Sequence, residues 1–135
     1  FSSTNNIEKK ELEGKLSIDK DLFSLIQKSL TTKSAIFLIV KEKNGVVMPI
    51  AVKKILYKEF KESFIKSKFI NFKISDNHSM RSEVKLSDFG EVMVSARLSL
   101  SGKVKPQAED LTTNVSLVKS DNKFVKLQFL QNTDN

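Results

Sequence analysis

The chain has 135 residues, a formal net charge of +7 and no cysteine. Its length suggests one domain large enough to bury a real core, and the lack of cysteine excludes disulfides, thiolate metal sites, cysteine nucleophiles and C-x-x-C-H haem attachment. Nearly all the positive charge is lysine, with only Arg81 and Arg97 beside it, which argues against a nucleic-acid partner because base readout and bidentate phosphate clamps favour arginine.

Residues 1–11 are polar and aperiodic and are expected to form a flexible lead-in. Leu12, Gly14, Leu16 and Ile18 then alternate with polar residues, which predicts a first strand. Asp19 is a good N-cap, and Leu22, Ile26 and Leu30, with Phe23 beside them, have helical spacing. This short helix is expected to cover one end of a β core. Ala35 to Val40 is apolar on both faces, as in a buried central strand. Asn44-Gly45 signals a tight hairpin turn. The returning strand, Val46 to Val52, contains Pro49 and so belongs at an edge or a bulge. Residues 53–68 are harder to assign: Tyr57, Phe60 and Phe64 share one helical face, with Lys and Glu on the other.

Alternation resumes at Ile70, Phe72 and Ile74, followed by the polar loop Ser75 to Ser79. The clearest strand is Val92 to Leu100. Val92, Val94, Ala96, Leu98 and Leu100 form its core row; Met93, Ser95, Arg97 and Ser99 face away. Thr113, Val115 and Leu117 predict one further strand, and Val125, Leu127 and Phe129 the last. A single β domain over residues 12–131 and a polar tail over 132–135 follow. The expected fold is mainly β, an antiparallel sandwich or barrel-like domain of about seven strands with one or two short helices.

No residue pattern spells out a reaction. His78 stands alone, without the spacing of a metal or base partner, and reads best as a solvated loop histidine. Ser87 and Asp88 read as caps of the turn that feeds the central strand, anchored by Leu86 and Phe89, in preference to catalytic groups. Arg97 has two readings of equal weight: a receptor for a partner's carboxylate, or a stem covering apolar surface and paired with a neighbouring acid. The interleaved Lys and Phe of Lys66 to Lys73 resemble a base-stacking surface, but strand alternation already explains them. No catalytic, metal or cofactor site is expected, and no enzyme. The longest apolar run, Ala35 to Val40, is too short to span a membrane. No signal-peptide pattern opens the chain. Beginning at Phe1, it reads as a piece of something longer.

Several segments together resemble the C-terminal domain of the cytochrome c-type biogenesis factor CcmI (CycH) family. They are Leu86-Ser87-Asp88-Phe89, Val92 to Val94, Ala96-Arg97, Ser101-Gly102, Pro106-Gln107 and Asp110-Leu111. Gly14 to Asp19 and Met48-Pro49-Ile50-Ala51-Val52 agree in order and approximate spacing. Gly90 departs from the family's common proline, and residues 53–68 are longer than usual. The resemblance implies a periplasmic domain of an inner-membrane-anchored protein. Its implied partners are apocytochrome c and the haem lyase, with the domain helping to hold one and present it to the other. It brings no catalytic motif and no cofactor. Ser87, Asp88, Arg97 and Gln107 combine the resemblance with expected exposure and form the candidate protein-binding surface. A generic β-sandwich assembly module is the first rival reading; a basic single-stranded nucleic-acid-binding domain is the second.

Overall fold

The computed structural model describes residues 11–43, 48–80 and 84–130. The alternating segments within them become β1 (Leu12–Ser17), β2 (Ala35–Glu42), β3 (Pro49–Leu56), β4 (Phe69–Ile74), β5 (Glu91–Ser99), β6 (Leu111–Thr113), β7 (Ser116–Lys119) and β8 (Val125–Leu130). Helices α1 (Lys20–Gln27) and α2 (Tyr57–Ser67) complete the order. The expected Asn44-Gly45 turn lies outside the described residues, as do residues 1–10 of the lead-in and the polar tail.

The strands curl into one nearly closed, barrel-like sheet in the order β3-β2-β5-β6-β8-β1-β4, with β7 also paired to β5. Alternation explains the interior: Leu12, Leu16, Ile36, Leu38, Val40, Val92, Val94 and Leu98 are completely buried. β2 pairs with β3 on one side and β5 on the other, which explains its apolar run. Pro49 begins the edge strand β3, and the β2–β3 register shifts between Val40 and Lys41 beside it, as a missing ladder donor requires. β3 continues to Leu56, four residues beyond the expected Val52, and leads directly into α2.

Two expectations need correction. The sheet is not wholly antiparallel, because β1 and β8 run parallel. They are the first and last strands of the sheet's sequence, so no short connection constrains their direction. The strand expected through Thr113, Val115 and Leu117 is divided into β6 and β7, which raises the count to eight. Leu98 pairs with Leu111 and Arg97 with Thr112, but Val94 pairs with Ser116 and Val92 with Val118. The register slips by one residue between these pairs, the signature of a β-bulge. A one-residue slip reverses the facing, so Leu111 and Thr113 are buried while Val115 and Leu117 are exposed. Side chains fill the interrupted ladder. Ala96 N donates to Thr113 Oγ1 at 2.9 Å, and Gln128 N donates to Asn114 Oδ1 at 2.9 Å.

The helices close the barrel. Asp19 caps α1 by accepting from Asp21 N at 3.1 Å and Leu22 N at 3.4 Å. Leu22, Phe23 and Ile26 form its buried stripe. α2 follows the Tyr57, Phe60 and Phe64 face read from the sequence, with Phe60 and Phe64 fully buried. The Phe23 ring meets Phe64 edge-on at 5.8 Å, and Phe64 meets Phe129 of β8 at 6.4 Å. One aromatic chain thus joins both helices to the sheet. α2 packs on both β3 and β4, the two edge strands. It stops at Lys68, whose φ of 64° is left-handed and whose N–H donates to Phe64 O at 3.0 Å.

Candidate protein-interaction surface

The four candidate residues do not form one site. Ser87 and Asp88 lie in a tight 3-10 turn before β5, whereas Gln107 lies in the loop after it. The length of β5 separates these loops by roughly 25 Å. Ser87 donates to Asp76 through N and through Oγ, both at 3.0 Å, and Asp88 Oδ2 accepts from Lys85 N at 3.1 Å. Asp88 therefore caps its own backbone turn, while the Ser87 hydroxyl ties that turn to the Asp76 side chain. Leu86 beneath them is fully buried.

Arg97 corrects the expectation of exposure. It faces away from the barrel interior, as alternation requires, yet it is only 7% exposed because residues 103–110 fold over it. Its Nη1 donates to Asp110 Oδ2 at 2.6 Å, its Nη2 donates to Val104 O, and its guanidinium lies 5.0 Å from the Phe37 ring centre. The same Asp110 oxygen accepts from Gln107 N at 2.9 Å. Structure thus selects the second reading of Arg97, a side chain paired with a neighbouring acid. Gly102 anchors the loop with a φ of +81°; a Cβ there would overlap the Lys33 carbonyl. Ser34 Oγ donates to Leu100 O at 2.6 Å on the same side.

His78 lies in the 3-10 turn after β4, partly buried, with Nδ1 accepting from Ser75 N at 3.0 Å. Burial, followed by the nearby Lys53 charge, lowers its pKa. On the exposed side, the hydrogen bond and charge of Lys43, 2.8 Å away, lower the pKa of Glu91, with Lys119 adding to the effect. Among the described residues no three His, Cys, Asp or Glu side chains converge as a metal site, and no helix is long and apolar enough to cross a membrane.

Two exposed furrows line the outward face of β1, β4 and β8. A furrow of about 430 Å³ borders Glu13, Lys15, Asn71, Lys123, Phe124 and Lys126. A second, of about 420 Å³, shares Lys15 and Lys126 and includes Phe69 and Gln128. The register explains the assembly: Lys15 lies opposite Asn71 on β4 and Lys126 on β8, all on the outward row. Lys15 Nζ stands 4.6 Å from the Phe69 ring centre, and Phe124 is 84% exposed. Phe72, interleaved with lysines in sequence, belongs to the core. Sequence reasoning missed this surface. Its one signal was Gly14 within a strand, a mark of close backbone approach. A Cβ on Gly14 would overlap the Val125 carbonyl and come within 2.7 Å of Val125 Cβ.

No curated protein and no solved structure gives a significant match. The family model of the cytochrome c-type biogenesis protein H Ig-like domain matches residues 12–129. That span runs from the first residue of β1 to within one residue of the end of β8, with the helices and both loops flanking β5 inside it. The chain therefore belongs to the family of cytochrome c-type biogenesis protein H Ig-like domains.

Proposed function

We propose that this domain is a non-enzymatic interaction module that helps hold apocytochrome c and present it to the haem lyase. In this reading it works in the periplasm as part of an inner-membrane-anchored protein. The family match over residues 12–129 is the observation that carries the proposal. The contact surface we assign comprises the loops at the two ends of β5. Ser87 and Asp88 present one, and Gln107 presents the other, while Arg97 sets the second loop's shape from beneath. With a net charge of +7 the encounter weakens with salt where the partner surface is acidic.

The test is a titration of the parent protein, with and without this domain, against apocytochrome c and the haem lyase. Deletion is expected to weaken at least one interaction and lower cytochrome yield. Unchanged affinities and yield would reduce the domain to a structural appendage. Asp88→Ala and Gln107→Ala probe the loops, because Arg97 is too buried to be a clean probe. If deletion weakens binding while both variants bind normally, the function stands and the assigned loops are wrong.

A further inference from the structure

The two edges of the sheet are finished differently. On the β3 edge, Ala51 bridges to Ser79 and Met80 N donates to Ile50 O at 2.9 Å. The β4 edge has no comparable cover at Phe69 and Asn71 among the described residues. Its orientation follows from the ladder. Ile18 N donates to Lys68 O at 3.1 Å, so the hydrogen-bonded pairs that follow are Leu16 with Ile70, Gly14 with Phe72 and Leu12 with Ile74. Alternation turns the N–H and C=O of Phe69, Asn71 and Lys73 away from β1. Lys73 O accepts from Lys53 Nζ at 3.0 Å, which agrees with that direction and caps the position. Phe69 and Asn71 keep outward main-chain groups.

A helix runs beside them. A groove of about 490 Å³ separates Glu59, Glu62 and Lys66 of α2 from Phe69 and Asn71 of β4. A strand edge flanked by a helix can take an extended peptide as an extra strand, with main-chain bonds supplying affinity. Charge selects the occupant. The chain carries +7, yet this wall presents carboxylates. Glu62 pairs with Lys66 at 3.2 Å, and Glu59 is in no ion pair among the described residues.

We propose that the β4 edge and the α2 groove take an extended, lysine-bearing segment of an unfolded polypeptide as an additional strand. Phe69 and Asn71 exchange main-chain hydrogen bonds with it, and Glu59 receives a lysine. Identifying that polypeptide as apocytochrome c rests on the function proposed above; the edge site itself does not.

The probe is a short synthetic peptide of alternating valine and threonine with two lysines, titrated into the 135-residue chain and followed by amide hydrogen exchange. The Phe69 and Asn71 amides become protected as the peptide saturates. Glu59→Gln weakens binding several-fold. N-methylation of the peptide's ladder-forming amides weakens it roughly tenfold or more, as loss of two or more main-chain bonds requires. Asn71→Pro keeps the fold, since its N–H serves no internal bond, and abolishes binding. Should that variant unfold, the methylated peptide decides the matter with the protein unaltered.

Unprotected Phe69 and Asn71 amides at saturation, or full affinity for the methylated peptide, overturn the proposal. Self-association that Asn71→Pro removes also overturns it, by assigning the edge to a second copy of the chain. If apocytochrome c binds without protecting these amides, the functional reading stands and the edge site falls. Peptide capture without apocytochrome c binding upholds the edge site and removes apocytochrome c as its occupant.

Discussion

Arg97 and Lys15 occupy equivalent local settings with different outcomes. Each projects from the outward row of a strand, and each places its cation about one ring-width from a phenylalanine: 5.0 Å to Phe37 for Arg97 and 4.6 Å to Phe69 for Lys15. Arg97 is buried beneath residues 103–110 and paired with Asp110, whereas Lys15 is exposed and lines the furrow. Side-chain direction alone therefore does not set exposure; the deciding feature is whether a loop folds back over the row. A cation under such a loop becomes part of the fold, and one left bare remains available for binding.

The sharpest way to break this contrast is to strand Arg97. Asp110→Ala removes the carboxylate and leaves a buried guanidinium without its ion-pair partner. Losing one member of a buried pair costs about 3–5 kcal/mol. The denaturant midpoint is expected to fall accordingly, while Arg97→Met with Asp110→Leu recovers most of the loss, since apolar replacement of a buried pair is often neutral. A stability change below about 1 kcal/mol in the single variant would mean that water already reaches Arg97.

The two glycines test the same division from beneath. Gly102 needs its positive φ and its close approach to Lys33, so Gly102→Ala combines backbone strain with overlap, at about 2–4 kcal/mol. Gly14 has no positive φ and needs only the close approach to Val125, so Gly14→Ala is expected to cost about 1–3 kcal/mol. Thermal melts of the two variants should fall in that order. The reverse order would show that the β1–β8 seam, rather than the loop over Arg97, is the less forgiving side.

These contrasts also show where the sequence was legible. Alternation in Val92 to Leu100 identified the core row, and Asp19 with Leu22 and Ile26 identified α1, because both signals are local. The bulge at Asn114 was not legible: Leu111, Thr113, Val115 and Leu117 continue the alternation unbroken while the chain slips register beneath it. Asp110 stands thirteen residues from Arg97 with no period linking the two, and only closure of the loop makes it a partner. The furrow brings together β1, β4 and β8 from both ends of the chain, an adjacency no local period encodes.

A smaller effect separates the covered edge from the bare one. His78 belongs to the turn that precedes the Ser79–Ala51 bridge, and its Nδ1 accepts from Ser75 only while the ring is neutral. Its pKa is lowered, by burial first and by Lys53 second, so the unfolded chain binds the proton more readily than the fold does. The resulting stability is complete above the ordinary value near 6.5 and is lost as pH falls through the lowered value of the folded state. On acidification the protection factor of the Met80 amide, taken relative to its intrinsic exchange rate at each pH, should fall, while that of the already open Asn71 amide is unaffected by this group. A His78 titration at or above the ordinary value, read by NMR, would reverse the sign and sink this prediction.

The smallest expected effect belongs to Lys15. Its ammonium lies over Phe69 at 4.6 Å with no ion pair among the described residues, and its side chain is exposed. A solvated cation–π contact contributes about 0.5–1 kcal/mol, and ordering a long lysine side chain offsets part of that. Lys15→Ala should therefore change stability by no more than about 0.5 kcal/mol. The side chain lines both furrows, so its loss should change the charge of that face without lowering the denaturant midpoint. A midpoint loss approaching that of Asp110→Ala would place Lys15 in the fold alongside Arg97, and the distinction between covered and bare cations would fail.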